Sequence, residues 1–289
     1  MELTVRPIKN ANLSWEVKGI FTKNKNIVES LTVGVPRIFL GGGFNTYAPY
    51  LEAGKPYGFI RGIKALRDSA TGQYLINPAD GTFIKGTAFE QIGNPNPDYK
   101  LGISTTINYK GFFLYGLFDM TKGGDIYSVT VQSLLGRGVT LDTRDRETGW
   151  VIPGVYGDPN TEKAILVGGK TVPNQTRITT NDLYFAPTGG ATFAINTASE
   201  MSVYDATVYR LRELAIGYNI PKSVFKKLPI GSMSLTVTGR NLWHLAPGFP
   251  KYTNFDPEVN TYGATNIQGF EFSAAPTSKR IGINLNVTF

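Results

Sequence analysis

Apolar and polar residues alternate with a period of two over several stretches of the chain, and the stretches are joined by connections of two very different lengths. Leu3, Val5 and Ile8 open the first stretch. After a tight turn at Lys9-Asn10-Ala11, Leu13, Trp15, Val17, Gly19 and Phe21 alternate with Ser14, Glu16, Lys18 and Ile20. A period of two sends successive side chains to opposite faces of an extended chain, so the two stretches read as a β-hairpin. A second hairpin is equally plain. Leu101, Ile103, Thr105, Ile107 and Tyr109 take one face and Gly102, Ser104, Thr106 and Asn108 the other, and Lys110-Gly111 makes a two-residue turn into FFLYGLFDM. Further strands are expected at 208–218, 232–243 and 279–289.

The strand at 208–218 needs an irregularity. Tyr209 and Leu211 have one parity and Leu214, Ile216 and Tyr218 the other. Keeping all five on one face predicts a β-bulge at Arg212-Glu213.

Between the hairpins the alternation breaks. Residues 24–98 are rich in Gly, Pro and Asn, with GGGFN at 41–45 and GNPNPD at 93–98, and read as a long loop with one embedded hairpin from 57–64 and 73–76. Residues 121–203 form a second irregular excursion with a short helix at 127–135, and 246–276 a third. Tracing the strands back from the C-terminus puts every short turn (9–11, 110–111, 220–231) at one end and every long connection at the other. A water-soluble sandwich has no cause to sort its loops this way, whereas an outer-membrane barrel has short periplasmic turns and long extracellular loops. Strand lengths fit, since about 9 to 11 tilted residues cross a bilayer. The expected fold is all-β, an antiparallel transmembrane β-barrel segment with long extracellular loops and short periplasmic turns.

The last strand shows the two faces. Ile281, Ile283, Leu285, Val287 and Phe289 alternate with Arg280, Gly282, Asn284, Asn286 and Thr288. An aromatic at the very end of such a strand resembles the C-terminal signature of outer-membrane barrels. Girdle candidates at the membrane interfaces are Trp15, Tyr109, Tyr115, Tyr209, Tyr218, Trp243 and Phe289. Candidates for the lumen face are Ser14, Glu16, Lys18, Thr106, Asn108, Arg210, Ser234, Thr236, Thr238, Arg240, Asn284 and Asn286.

Composition narrows the chemistry. The 289 residues carry 29 Lys and Arg against 22 Asp and Glu, a formal charge of +7, with one His and no Cys. Cysteine-based zinc sites, thiol catalysis, disulfides and any catalytic triad not built on His244 are thereby excluded. The basic residues are scattered singly, which argues against a nucleic-acid partner. The longest apolar run, GFFLYGLF at 111–118, is far short of a membrane-spanning helix. MELTVRPIKN lacks the basic and apolar regions of a secretory signal, so the chain is expected to be either cytoplasmic or the later part of a longer protein.

No catalytic constellation emerges. Gly168-Gly169-Lys170-Thr171 resembles the end of a phosphate-binding loop, but Ala164 stands where its first glycine belongs, so it reads as a turn. Asp142, Asp145 and Glu147 are interleaved with Arg144 and Arg146 and read as a solvated loop; Asp256 and Glu258 in FDPE read as an Asp-Pro turn. His244, beside Trp243 at a strand end, reads as interfacial. The chain is expected to be no enzyme and to hold neither cofactor nor metal.

Five blocks carry a family resemblance: IGNPNPDYKLGISTTINYKGFFLYGLFDMTKGGDIYS (92–128), YRLRELAIGYNIPKSVF (209–225), LTVTGRNLW (235–243), FDPE (255–258) and SKRIGINLNVTF (278–289). Together, and in this order, they resemble the C-terminal barrel region of SusC/RagA-like TonB-dependent outer-membrane transporters of Bacteroidetes. The resemblance implies a plugged barrel of about 22 strands. Residues 1–289, with about six to eight strands by the alternation above, would be its C-terminal portion, with the plug and N-terminal strands absent. It further implies import of oligosaccharides or peptides through the outer membrane. The implied partners are the remaining N-terminal barrel and plug portion, a SusD-like substrate-binding lipoprotein, outer-membrane lipids, and TonB through the absent N-terminal part. Rival expectations are a soluble extracellular β-sandwich that binds glycans and an inactive split or truncated transporter fragment.

Overall fold

The computed structural model describes residues 1–42, 47–185, 198–226 and 228–289. The last three residues of GGGFN, residues 186–197 of the second excursion and residue 227 of the 220–231 connection lie outside them. In chain order the principal elements are β1 (Glu2–Lys9), β2 (Leu13–Thr22), β3 (Tyr47–Leu51), β4 (Phe59–Ala65), β5 (Lys85–Gly93), β6 (Tyr99–Tyr109), β7 (Phe112–Lys122), β8 (Asp125–Ser128), α1 (Val129–Gly136), β9 (Val208–Ile220), β10 (Ser232–Leu245), β11 (Phe270–Glu271) and β12 (Arg280–Thr288). Seven of them make one sheet in the order β1-β2-β6-β7-β9-β10-β12, each strand antiparallel to its neighbours.

The register sorts this sheet into two faces. Directly paired residues share a face, and one line runs Trp15–Ile107–Leu114–Ile216–Val237–Ile283 across six strands. The next line towards the short turns runs Leu13–Tyr109–Phe112–Tyr218–Leu235–Leu285. This apolar face stays open, with Phe112 56%, Ile216 54%, Leu235 45% and Ile283 72% exposed. A water-soluble sandwich would bury such a face under a second sheet. The expected bulge is present in β9, where pairing with both β7 and β10 shifts between Leu211 and Glu213. The additional residue, Arg212, is what lets Tyr209 and Leu211 keep the face of Leu214, Ile216 and Tyr218.

The β6–β7 hairpin closes at Tyr109 and Phe112, and both turn residues are left-handed, Lys110 at φ 47° and Gly111 at φ 91°. That combination matches the right-handed twist of the flanking strands.

The long connections are far more structured than the sequence implies. Ile38–Phe39, β3, β4 and β5 form a separate four-stranded sheet. The hairpin expected from 57–64 and 73–76 does not form. β4 pairs with β3 and β5, whereas Leu75–Ile76 runs parallel to Val155–Asp158. Phe59 and Ile60 are 1% and 0% exposed, which requires cover on all sides, and strands on both flanks provide it better than one. The expected helix starts at Val129, not Tyr127. Asp125–Ser128 is a strand between Val203–Asp205 and β11, and Ser128 caps the helix by accepting from the Val131 N–H. Ile60, Tyr127, Val129 and Phe270 form a core there, and the rings of Tyr47, Tyr127 and Phe270 are mutually stacked, with centres 3.9, 5.2 and 5.7 Å apart. Gly168-Gly169 is the turn of a small hairpin between Leu166–Val167 and Lys170–Thr171, as its composition suggests.

Candidate functional site

The second face of the large sheet is polar, and it gathers the residues singled out for the lumen. One line runs Glu16–Thr106–Tyr115–Ala215–Thr238–Gly282, and the next Ser14–Asn108–Phe113–Gly217–Thr236–Asn284. Lys18 pairs with Ser104, Arg240 with Arg280, Asn286 with Ser234 and Arg210 with His244. Tyr115 therefore corrects the girdle reading. It shares the face of Thr106, not that of Tyr109, because the apolar run FFLYGLF gives no alternation from which parity could be read. Trp15, Tyr109, Tyr209, Tyr218 and Trp243 lie on the apolar face, and Phe289 follows the end of β12, 87% exposed. The apolar side chains that β7 sends to the polar face have packing reasons of their own. The ring of Phe113, for example, lies over Gly217, where a side chain would collide with it.

At the end of this face where the long connections leave, a charge cluster joins the bulge to the 246–279 connection. Arg210 donates to Asp256 from both terminal nitrogens, Nη1–Oδ2 2.8 Å and Nη2–Oδ1 2.5 Å. Two residues on, Arg212 makes the same forked contact with Glu258, Nη1–Oε2 3.0 Å and Nη2–Oε1 2.5 Å, and also donates through Nε to Asp119 of β7. Arg-Leu-Arg in the bulge thus meets Asp-Pro-Glu in the loop with matched spacing, each pair a planar fork on a carboxylate. Thr277 Oγ1 adds a bond to Asp256 at 2.6 Å from the far end of the same connection. Burial alone would push the Asp256 carboxyl up, but the bonds from Arg210 and Thr277 outweigh it and hold it at about 2.

FDPE is therefore more than the Asp-Pro turn read from the sequence. The signal available was the equal spacing of the two Arg and the two carboxylates. His244 lies opposite Arg210, on the face opposite to that of the girdle residue Trp243. Elsewhere the connections use carboxylates in place. Glu271, fully buried, accepts from Ser128 Oγ at 2.7 Å and Thr130 Oγ1 at 2.5 Å at the start of α1. Among the described residues no group of three or more His, Asp or Glu is placed to hold a metal ion.

No family model matches the chain. Two proteins of Formosa agariphila do: TonB-dependent receptor P3, 27% identical over 306 aligned residues that take in 98% of this chain and 28% of the relative, and TonB-dependent receptor P26, 23% identical over 205 residues, 68% of this chain and 18% of the relative. Among solved structures, that of the RagAB peptide transporter superposes on the whole chain with a TM-score of 0.60 at 15% identity. The RagAB peptide importer in its closed-closed state does so with 0.59 at 18% identity. The chain spans 28% and 29% of those two structures, so it corresponds to under a third of each protein it resembles. These relatives are receptors and transporters by name, not enzymes. In sequence the chain is similar to part of these TonB-dependent receptors, and in fold it is an all-β, antiparallel segment like the matching part of the RagAB structures.

Proposed function

We propose that the chain is part of the wall of a TonB-dependent outer-membrane importer of oligosaccharides or peptides. Residues 1–289 are read as its C-terminal portion. The remaining N-terminal barrel and plug portion completes the wall and supplies the contact with TonB. A SusD-like lipoprotein covers the long connections on the extracellular side. The apolar face meets lipid, with Trp15, Tyr109, Tyr209, Tyr218, Trp243 and Phe289 towards its interfaces. Glu16, Lys18, Thr106, Asn108, Arg210, Thr236, Thr238, Arg240, Asn284 and Asn286 line the lumen side, together with Tyr115.

One observation carries this reading: the sheet is apolar and open on one face, polar on the other, and ends at two strands, β1 and β12, that among the described residues each have a neighbour on one side only. In lipid every backbone N–H and C=O without a partner costs several kcal/mol, on the order given for burial of an unpaired polar group. Both edges therefore call for further strands. The peptide-transporter names of the superposed structures favour a peptide within the proposed cargo range.

The test compares Ile283→Cys with Asn284→Cys in permeabilised native envelopes. A water-soluble maleimide should label the cysteine at 284 and spare that at 283, and the chain should need detergent for release, together with a plug-bearing chain. Release into the aqueous phase without detergent, with both positions labelled alike, would refute the wall reading.

A further inference from the structure

A groove on the β3–β4–β5 sheet shares no residue with the Arg210–Asp256 cluster. Its volume is about 500 Å³, within the range of small-solute sites. Arg61 of β4 lines it, with its guanidinium carbon 4.9 Å from the ring centre of Phe89 on β5 and 5.4 Å from that of Tyr50 on β3. Ring contacts hold the plane of a guanidinium without consuming its N–H donors. Among the described residues Arg61 has these ring contacts and no carboxylate within ion-pair distance.

The charges around it are otherwise matched in pairs. Arg37 Nε lies 3.4 Å from Glu52, and Lys64 Nζ lies 3.0 Å from Glu90. Asp125 accepts the Asn94 N–H at 2.7 Å. Lys55, half-buried on the groove wall, has no carboxylate partner among the described residues. The groove therefore holds one more cation than carboxylate, and its surplus sits on a clamped, donor-rich Arg.

We propose that this groove binds the carboxylate of a solute, gripped in a fork by Arg61, with Lys55 adding charge and the ring of Phe89 flanking the carbon next to it. A singly charged anion balances the surplus. A phosphate dianion would exceed it and would face the carboxylates of Glu52, Glu90 and Asp125 at close quarters. A carboxylate reaches such a groove either on a peptide C-terminus or on an acidic sugar. The inference requires only that the 24–98 connection meets an aqueous phase.

Binding is measured by calorimetry on the complete protein extracted in detergent from its native envelope, with N-acetyl-dialanine against its C-terminal amide, and methyl galacturonoside against its methyl ester. The carboxylate form of one pair should bind at least roughly tenfold more tightly than its neutral form, the size of a lost charge-assisted contact, and which pair responds identifies the source. Arg61→Gln should lower carboxylate affinity by a similar factor, and Arg61→Lys, which keeps charge without the fork, should recover only part of it. Lys55→Gln should give a smaller loss. Equal binding of acid and neutral forms, no binding of either acid at millimolar concentration, or an assembled Arg61→Gln protein that binds as before would each overturn the proposal. Should Arg61→Gln fail to assemble, the comparison of acid and neutral probes on the unaltered protein decides by itself. None of these outcomes touches the wall reading, which stands or falls on the cysteine labelling.

Discussion

The guanidinium of Arg210 and the carboxylate of Asp256 form a two-pronged ion pair, Nη2–Oδ1 2.5 Å, in which the side chains are 1% and 4% exposed. The neighbouring Arg212–Glu258 pair has the same form but remains 34% and 45% exposed. Exposure decides what each is worth. Arg210→Ala strands a buried carboxylate and is expected to cost about 3–5 kcal/mol. Arg212→Ala removes a solvated pair and should cost about 1 kcal/mol or less. Thermal unfolding of the two variants, followed by gel mobility of the assembled protein, tests the difference, and a double-mutant cycle with Asp256→Ala isolates the pairwise part.

The same pair sets an acid limit. The Asp256 carboxyl lies at about 2, below the ordinary Asp value of about 3.9. A depressed carboxylate contributes stability that is fully present above the unfolded-state value and is lost as pH falls through the folded one. Protease protection of the 246–279 connection should therefore hold at pH 5 and above and decline from about pH 4 towards pH 2. Asp256→Asn should lack protection across that whole range. A wild-type profile flat to pH 2 would contradict the assignment.

Gly111 is fixed by backbone and neighbours together. At φ 91° it occupies a region costly for other residues, and an added Cβ would meet Asn219 O and the Tyr218 ring at 3.1 Å. Gly111→Val should cost about 1–3 kcal/mol and lower the yield of assembled protein, whereas Lys110→Asn, which tolerates a positive φ, should be neutral. Quantifying the folded fraction of each on a semi-native gel checks this.

The two faces of β12 give opposite expectations for the same substitution. On the lipid-facing reading, Ile283→Arg should destabilise by about 2–4 kcal/mol if it lies near the bilayer midplane, while Asn284→Arg should change stability by about 0.5 kcal/mol or less. Denaturant unfolding in lipid vesicles distinguishes them. Similar losses at both positions would argue that neither face is in contact with hydrocarbon.

The strands of the large sheet, their apolar and polar faces and the bulge at Arg212 were legible in the sequence. Each follows from side-chain parity, a property of consecutive residues that needs no knowledge of what lies opposite. Tyr115 marks where that reasoning stops. Within FFLYGLF both parities are apolar, and only pairing with Thr106 and Ala215 assigns its face. The connections show the same boundary on a larger scale. The 57–64 segment was visible as extended, but its partners, β3 and β5, were chosen by the burial of Phe59 and Ile60. FDPE read alone as an Asp-Pro turn and Arg-Leu-Arg as part of a bulged strand, 46 residues apart from Arg210 to Asp256. Tertiary structure brings them together because a buried guanidinium has to find its carboxylate in space, and no local pattern records which one it finds.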